Sequence, residues 1–120
     1  MISVEEILSV CVTKLGDAKA GEIKQYHLFD DTLLIDYVVV VSALNTIHCK
    51  TLVEILDEHI KPLSVDNDEL YTHPKVSGDA QSGWVVIDCC SIVFHVLLDD
   101  LRDHYQLDAH FEKKTQNVVC

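Results

Sequence analysis

The sequence predicts an α/β (α+β) domain, a mixed five-stranded sheet with helices packed on it. Three observations carry this. Two segments have apolar residues at helical spacing behind good caps. Five segments have strand character, in the order α β β α β β β α. One of those, "LLIDYVVVVSA" (33–43), is β-branched and apolar on both faces, as a central strand covered on both sides must be. Such a mixture buries its apolar faces by laying helices on a sheet.

The first helix is expected over 3–15. Ser3 and Glu6 form a capping box, and Ile7, Val10, Cys11 and Leu15 form its apolar face. Glycines and turn residues at 16–22 end it. A strand follows over 22–29, a turn at Asp30-Asp31, then the central strand. The second helix is expected over 45–63, from an Asn45 cap to a stop at Pro62, with Ile47, Leu52, Ile55, Leu56 and Ile60 as its stripe. A loop over 64–70 leads to a short edge strand at 71–76, which Pro74 confines to the sheet margin. Residues 77–83 read as a turn. Residues 84–89 and 91–97 read as paired strands around Cys90-Ser91, residues 98–107 as a short helix, and 110–120 as a ragged tail. The organisation expected is one domain over 1–111 and a tail over 112–120.

Composition narrows the function. The 120 residues are 48% hydrophobic, and a mean hydropathy of +0.16 argues against disorder. A chain this long can bury a core without disulfides or metals. No apolar run approaches the roughly 18 residues of a membrane span. The start, "MISVEEILSV", lacks the basic region of a signal peptide and is too acidic for a transit peptide. A cytoplasmic protein is expected, and five cysteines without a leader fit reduced thiols. Nine basic residues against 20 acidic ones give a net charge of −11. Phosphate backbones repel such a surface, so no direct preference for nucleic acid is expected. A basic protein partner would be drawn to it.

No active site assembles from the motifs. Cys89-Cys90 is not CxxC, and neighbouring strand residues point to opposite faces, so these thiols read as packing. Seven histidines include no HxxxH or HExxH. His95 lies mid-strand and reads as a hydrogen-bonded structural or interface group. The carboxylates at 30–31, 66–68 and 99–100 have no glycine-rich phosphate loop and no basic cluster beside them. Ser42 and Ser91 stand in no nucleophile elbow. Trp84 and Tyr105 suit either core or interface, where aromatics dominate binding energy. No cofactor and no metal are expected. From the residues alone, this is a small acidic binding module.

Two segments together resemble a known family. "DYVVVVSALNTIHCKTLVEIL" (36–56) has an Asp-aromatic start, an apolar strand ending in Ser-small, a polar helix cap and a His three residues on. "GWVVIDCCSIVFHVLLDDLRDHYQLDAHF" (83–111) has Trp, a strand ending in Asp, a tight turn, a strand carrying His-Val, an acid, Arg, and Tyr-x-Leu-acid before an aromatic. In this order they resemble the ribosomal silencing factor family, RsfS or Iojap-like, over nearly the whole chain. The sequence departs from it where Cys90-Ser91 replaces Gly-Asp in the last turn. Ser77-Gly78 stands for Glu-Gly, and Leu107-Asp108 and Phe111 stand for Leu-Glu and Trp.

The resemblance implies a nucleotidyltransferase-like fold without its catalytic carboxylates, and hence no enzyme. It implies binding to the large ribosomal subunit through its basic protein L-fourteen. That binding would block subunit joining and repress translation under nutrient limitation. It places partner-binding or structural positions at Asp36, Tyr37, Ser42, His48, Trp84, Asp88, His95, Asp100, Arg102 and Tyr105. Trp84, Asp88, His95 and Tyr105 are expected at the centre of the interface.

Two other readings compete. One is a nucleotidyltransferase-like enzyme using Asp66, Asp68 or Asp88 with magnesium. The other is a metal or redox sensor on Cys89, Cys90 and His95. A homodimer is open to any of them, through an exposed sheet edge near Pro74 or an apolar face.

Overall fold

The computed structural model describes residues 4–27, 37–66, 75–89 and 92–116. The elements are α1 (Val4–Asp17), β1 (Ile23–His27), β2 (Tyr37–Ala43), α2 (Thr46–Asp66), β3 (Lys75–Asp79), a 3₁₀ turn (Ala80–Ser82), β4 (Trp84–Asp88), β5 (Ile92–Leu98), α3 (Asp99–Tyr105) and α4 (Leu107–Gln116). The strands form one mixed sheet in the order β1-β2-β5-β4-β3. β2 and β5 pair in parallel at its centre, Tyr37 against Ile92 and Val40 against His95. The other three pairings are antiparallel.

Strand alternation gives the sheet two different faces. On one, Val39, Val41, Val85, Ile87, Phe94 and Val96 meet Leu8, Cys11 and Leu15 of α1 and Cys49, Leu52 and Leu56 of α2. This is the larger core, and Phe94 at its centre is fully buried. On the other, Tyr26, Val38, Val40 and Leu97 meet Leu107 and Phe111 of α4, with Trp84 and Leu101 packed against them. α3 and α4 cover the β1–β2 side of this face. Among the described residues no helix covers the β4–β3 side, where Trp84 and Val86 are half-buried and Asp88 is exposed.

Several sequence expectations need correction. Val10 of α1 is 48% exposed. At 3.6 residues per turn it stands about 120° from the centre of the stripe that Ile7, Leu8, Cys11 and Leu15 make. Ile47 is 77% exposed, because it falls nearly opposite the stripe of Cys49, Leu52, Leu56 and Ile60. The α2 backbone runs through Pro62 to Asp66; a proline removes one backbone donor from a helix but does not oblige a stop. Residues 77–79 are strand, paired with β4, and all of β3 is exposed. The last helix is two. Gln106 adopts a left-handed conformation and closes α3 through bonds from its N–H to the carbonyls of Arg102 and Asp103. The expected tail from 112 continues α4 as far as Gln116. Ser3, Pro74 and the Cys90-Ser91 turn lie outside the described residues.

Candidate partner-docking face

The open side of the second sheet face holds the candidate site. Even-numbered positions of β4 and odd-numbered positions of β5 point to it, which places Trp84 and His95 side by side, Trp84 opposite Leu97 and Val86 opposite His95. The indole N–H of Trp84 donates to Nδ1 of His95 at 3.2 Å. That bond requires an unprotonated Nδ1. Burial, reinforced by His110, pushes His95 down to about 4, so the ring is neutral at pH 7. The Tyr105 ring at the end of α3 lies 5.2 Å from Trp84, and Phe111 lies 5.4 Å from His95. Tyr105 is 56% exposed. The result is a ridge of rings fixed from behind and open in front. Asp88, at the far end of β4, and Asp99, Asp100 and Asp103, on α3, are exposed carboxylates.

Arg102 is the hub of a partly buried ionic knot. Arg102 is 4% exposed. Its Nε donates to Oδ2 of Asp108 at 2.5 Å and its Nη2 to Oδ1 at 2.9 Å. Its Nη1 donates to the Ser42 hydroxyl and to the Glu22 carbonyl, each at 2.7 Å. The Tyr26 hydroxyl donates to Oδ1 of Asp108 at 2.6 Å. The Arg102 guanidinium holds the Asp108 carboxyl below the usual carboxylate range. Burial and then Asp108 push the Tyr26 phenol up. These bonds tie α3 and α4 to β1 and β2, and so fix where Tyr105 stands relative to Trp84. A bidentate guanidinium–carboxylate pair suits this task because it fixes direction as well as distance.

The predicted residues thus divide. Trp84, His95 and Tyr105 come together, with Asp88 on the same face at the far end of β4 and Asp100 in the first turn of α3. Ser42 and Arg102 lie inside the knot. His48 serves the start of α2: its N–H donates to the Asn45 side chain at 2.8 Å, as the predicted cap requires. Its Nδ1 accepts from the Leu44 N–H at 2.9 Å. That fixes the tautomer, and Nε2 donates to the Ala18 carbonyl at 3.0 Å, joining α1's end to α2. Tyr37 opens β2 on the opposite sheet face, stacked on His27 at 4.6 Å. Asp36 lies outside the described residues.

Sequence reasoning passed over Asp108, Tyr26 and Val86 as parts of this region. Tyr26 and Asp108 are 82 positions apart, and no local pattern links them. Val86 could have been found by counting alternation from Trp84.

Of the sensor set, Cys89 and His95 do not converge. Cys89 packs in the α1–α2 core, while His95 is on the other face. Cys11, Cys49 and Cys89 are all buried. Asp88 is exposed on the docking side. Asp68 and Cys90 lie outside the described residues, as does the Asp66 side chain.

The chain is similar to several known proteins. A family model described as "Ribosomal silencing factor during starvation" matches residues 2–119. The chain is 26% identical over 108 residues to "Ribosomal silencing factor RsfS" of Chromobacterium violaceum, covering 90% of this chain and 84% of that one. It is 26% identical over 101 residues to "Mitochondrial assembly of ribosomal large subunit protein 1" of Mus musculus, covering 84% of this chain but 43% of that longer protein. A crystal structure of a Chromobacterium violaceum protein superposes with a TM-score of 0.75 at 23% identity, over 92% of this chain and 88% of that one. One from Bacillus halodurans gives 0.66 at 21% identity, over 88% and 92%. These two likenesses bear on the fold.

Proposed function

Because this chain belongs to the ribosomal silencing factor family, we propose that it docks on the large ribosomal subunit and represses translation by keeping the small subunit from joining. The partner in this reading is the basic ribosomal protein L-fourteen, and the setting is nutrient limitation in the cytoplasm. The observation that carries it is the aromatic ridge of Trp84, His95 and Tyr105, open in front and rimmed by acids. Interfaces concentrate their energy in such rings. The carboxylates around them attract a basic protein while a net charge of −11 disfavours bare rRNA.

The contact set in this reading is Trp84, Val86, Asp88, Tyr105 and Asp100, with His95 holding the Trp84 indole from the side. Ser42, Arg102 and His48 keep the shape that presents them. Occlusion needs no chemical step. The bound domain excludes the incoming subunit from the same space, and repression follows from affinity and concentration.

The test is co-sedimentation with purified large subunits, with and without small subunits, across a range of salt. The expected result is binding, fewer joined ribosomes, and weaker binding as salt rises. Trp84→Ala should weaken binding by about 2 kcal/mol, or roughly thirtyfold. A folded Trp84→Ala protein that binds normally would move the interface elsewhere. No binding of the native protein at low salt would sink the reading itself.

A further inference from the structure

On its first face the sheet carries α2, which packs over β2, β5 and β4. Beside α2 lies a groove of about 510 Å³ that reaches to β3. Its apolar floor includes Val85 and Val76, and Gln81 of the 3₁₀ turn stands at one end. Lys50, Val53 and Glu54 of α2 make one wall. Val76 is 50% exposed, so part of this aliphatic floor is left to water. Lys50 and Glu54 stand one helical turn apart, and both are exposed. Among the described residues neither forms an ion pair, and Lys ahead of Glu is the weaker order for a pair four residues apart.

An unpaired cation and anion above an apolar floor match a ligand with the same three parts. We infer that this groove binds a free α-amino acid with a large apolar side chain. Lys50 takes its carboxylate, Glu54 takes its ammonium group, and Val53, Val76 and Val85 receive its side chain. Residues four apart on a helix have Cβ atoms about 5–6 Å apart, so their tips can hold two charges carried on one carbon. The volume lies within the roughly 300–1,000 Å³ of small-molecule sites. A nucleotide does not suit the groove, because the carboxylates of Glu54 and Asp79 beside a single lysine repel phosphates. A partner protein does not suit it either. Nine residues line the groove, against roughly 20–30 a side in a standard protein interface. Val85 and Val76 point away from the face that carries Trp84, so the amino acid and the proposed ribosomal partner use different surfaces.

The test is a titration of the whole isotope-labelled protein with L-leucine, followed by NMR with no ribosome present. The amide signals of Val53, Val76 and Val85 should shift together and saturate, with a dissociation constant on the order of 1 mM or below. Three analogues each remove one part of the ligand. Glycine lacks the apolar side chain, leucinamide the carboxylate and isocaproate the ammonium group. Each should bind about fivefold more weakly or worse. Lys50→Gln and Glu54→Gln should each raise the constant for L-leucine about fivefold or more. Both positions are exposed, and the dispersion of the amide spectrum establishes that each variant is folded. No saturable shift in the groove overturns the inference. So does an analogue that binds as tightly as L-leucine, or a folded variant that binds it normally. Because the ribosome is absent from this measurement, its failure leaves the docking reading where it stands.

Discussion

The side chain that most determines the shape of this protein is Arg102. A buried guanidinium is stabilising only while its partners remain, because a charge left alone out of water is costly. Arg102→Ala should therefore cost about 3 kcal/mol or more in a urea unfolding measurement. Its loss leaves Asp108 without its guanidinium partner and the Ser42 hydroxyl without its donor. Ser42→Ala removes one neutral bond and should cost about 1 kcal/mol. His95 sets a pH dependence. Its folded value of about 4 lies below the ordinary 6.5. Between those values the unfolded chain holds a proton that the folded chain does not, so stability falls as pH falls through 6.5 toward 4. The full window is worth up to about 3 kcal/mol at about 1.36 kcal/mol per unit. His95→Gln should flatten this part of the stability curve, while the Asp108 contribution, lost at lower pH still, should remain. The buried thiols give a third expectation. Burial pushes Cys11 up to about 12 and raises Cys49 as well, so peptides carrying these cysteines should resist thiol reagents until urea unfolds the chain.

Among the elements, β3 and its turn show how one residue fixes a local geometry. Gly78 has φ of +80°, and a Cβ there would lie 2.5 Å from the Trp84 carbonyl oxygen. Gly78→Ala should cost about 2 kcal/mol by thermal unfolding, through both strain and overlap with backbone. Asp79 then caps the 3₁₀ turn by accepting from the Ser82 N–H at 2.9 Å. The sequence reads this stretch as a turn because Ser, Gly and Asp dominate it, and pairing with β4 overrides that preference. The reverse holds for β2 and β5, whose β-branched and alternating residues announce them from the sequence alone. Stripes in α1 and α2 were legible in position but not at their margins, since Val10 and Ile47 differ from their buried neighbours only by angle around the helix. The split between α3 and α4 was not legible at all: a left-handed Gln106 has no compositional signature of the kind a glycine would give. The aromatic members of the docking face could be named one by one. Their assembly could not, because the Arg102–Asp108–Tyr26 knot that positions Tyr105 depends on contacts distant in sequence.

At the scale of the whole molecule, α4 is a working part of the fold. It supplies Leu107 and Phe111 to the second core and Asp108 to the knot. A chain ending at Tyr105 loses all three and should fail to show a cooperative thermal transition, whereas one ending after Glu112 keeps them and should unfold cooperatively. Charge distribution at this scale also matters for function. The one arginine of the chain is held inside, so in the proposed docking the face would offer a basic partner no competing guanidinium.

The parallel pairing of β2 with β5 sets the order in which the chain can be completed. Tyr37 waits for Ile92, 92 − 37 = 55 positions later. Contacts that far apart must close a long loop before they return any stability, which slows folding. During synthesis the run Tyr37–Val41 leaves the ribosome early, and its β5 partner follows only after the intervening strands and helix. Until then a strand of four consecutive valines lacks the neighbour that shields it, and such a segment is prone to pair with other chains. Translation speed across residues 44–91 should therefore govern how much of this protein reaches its folded state.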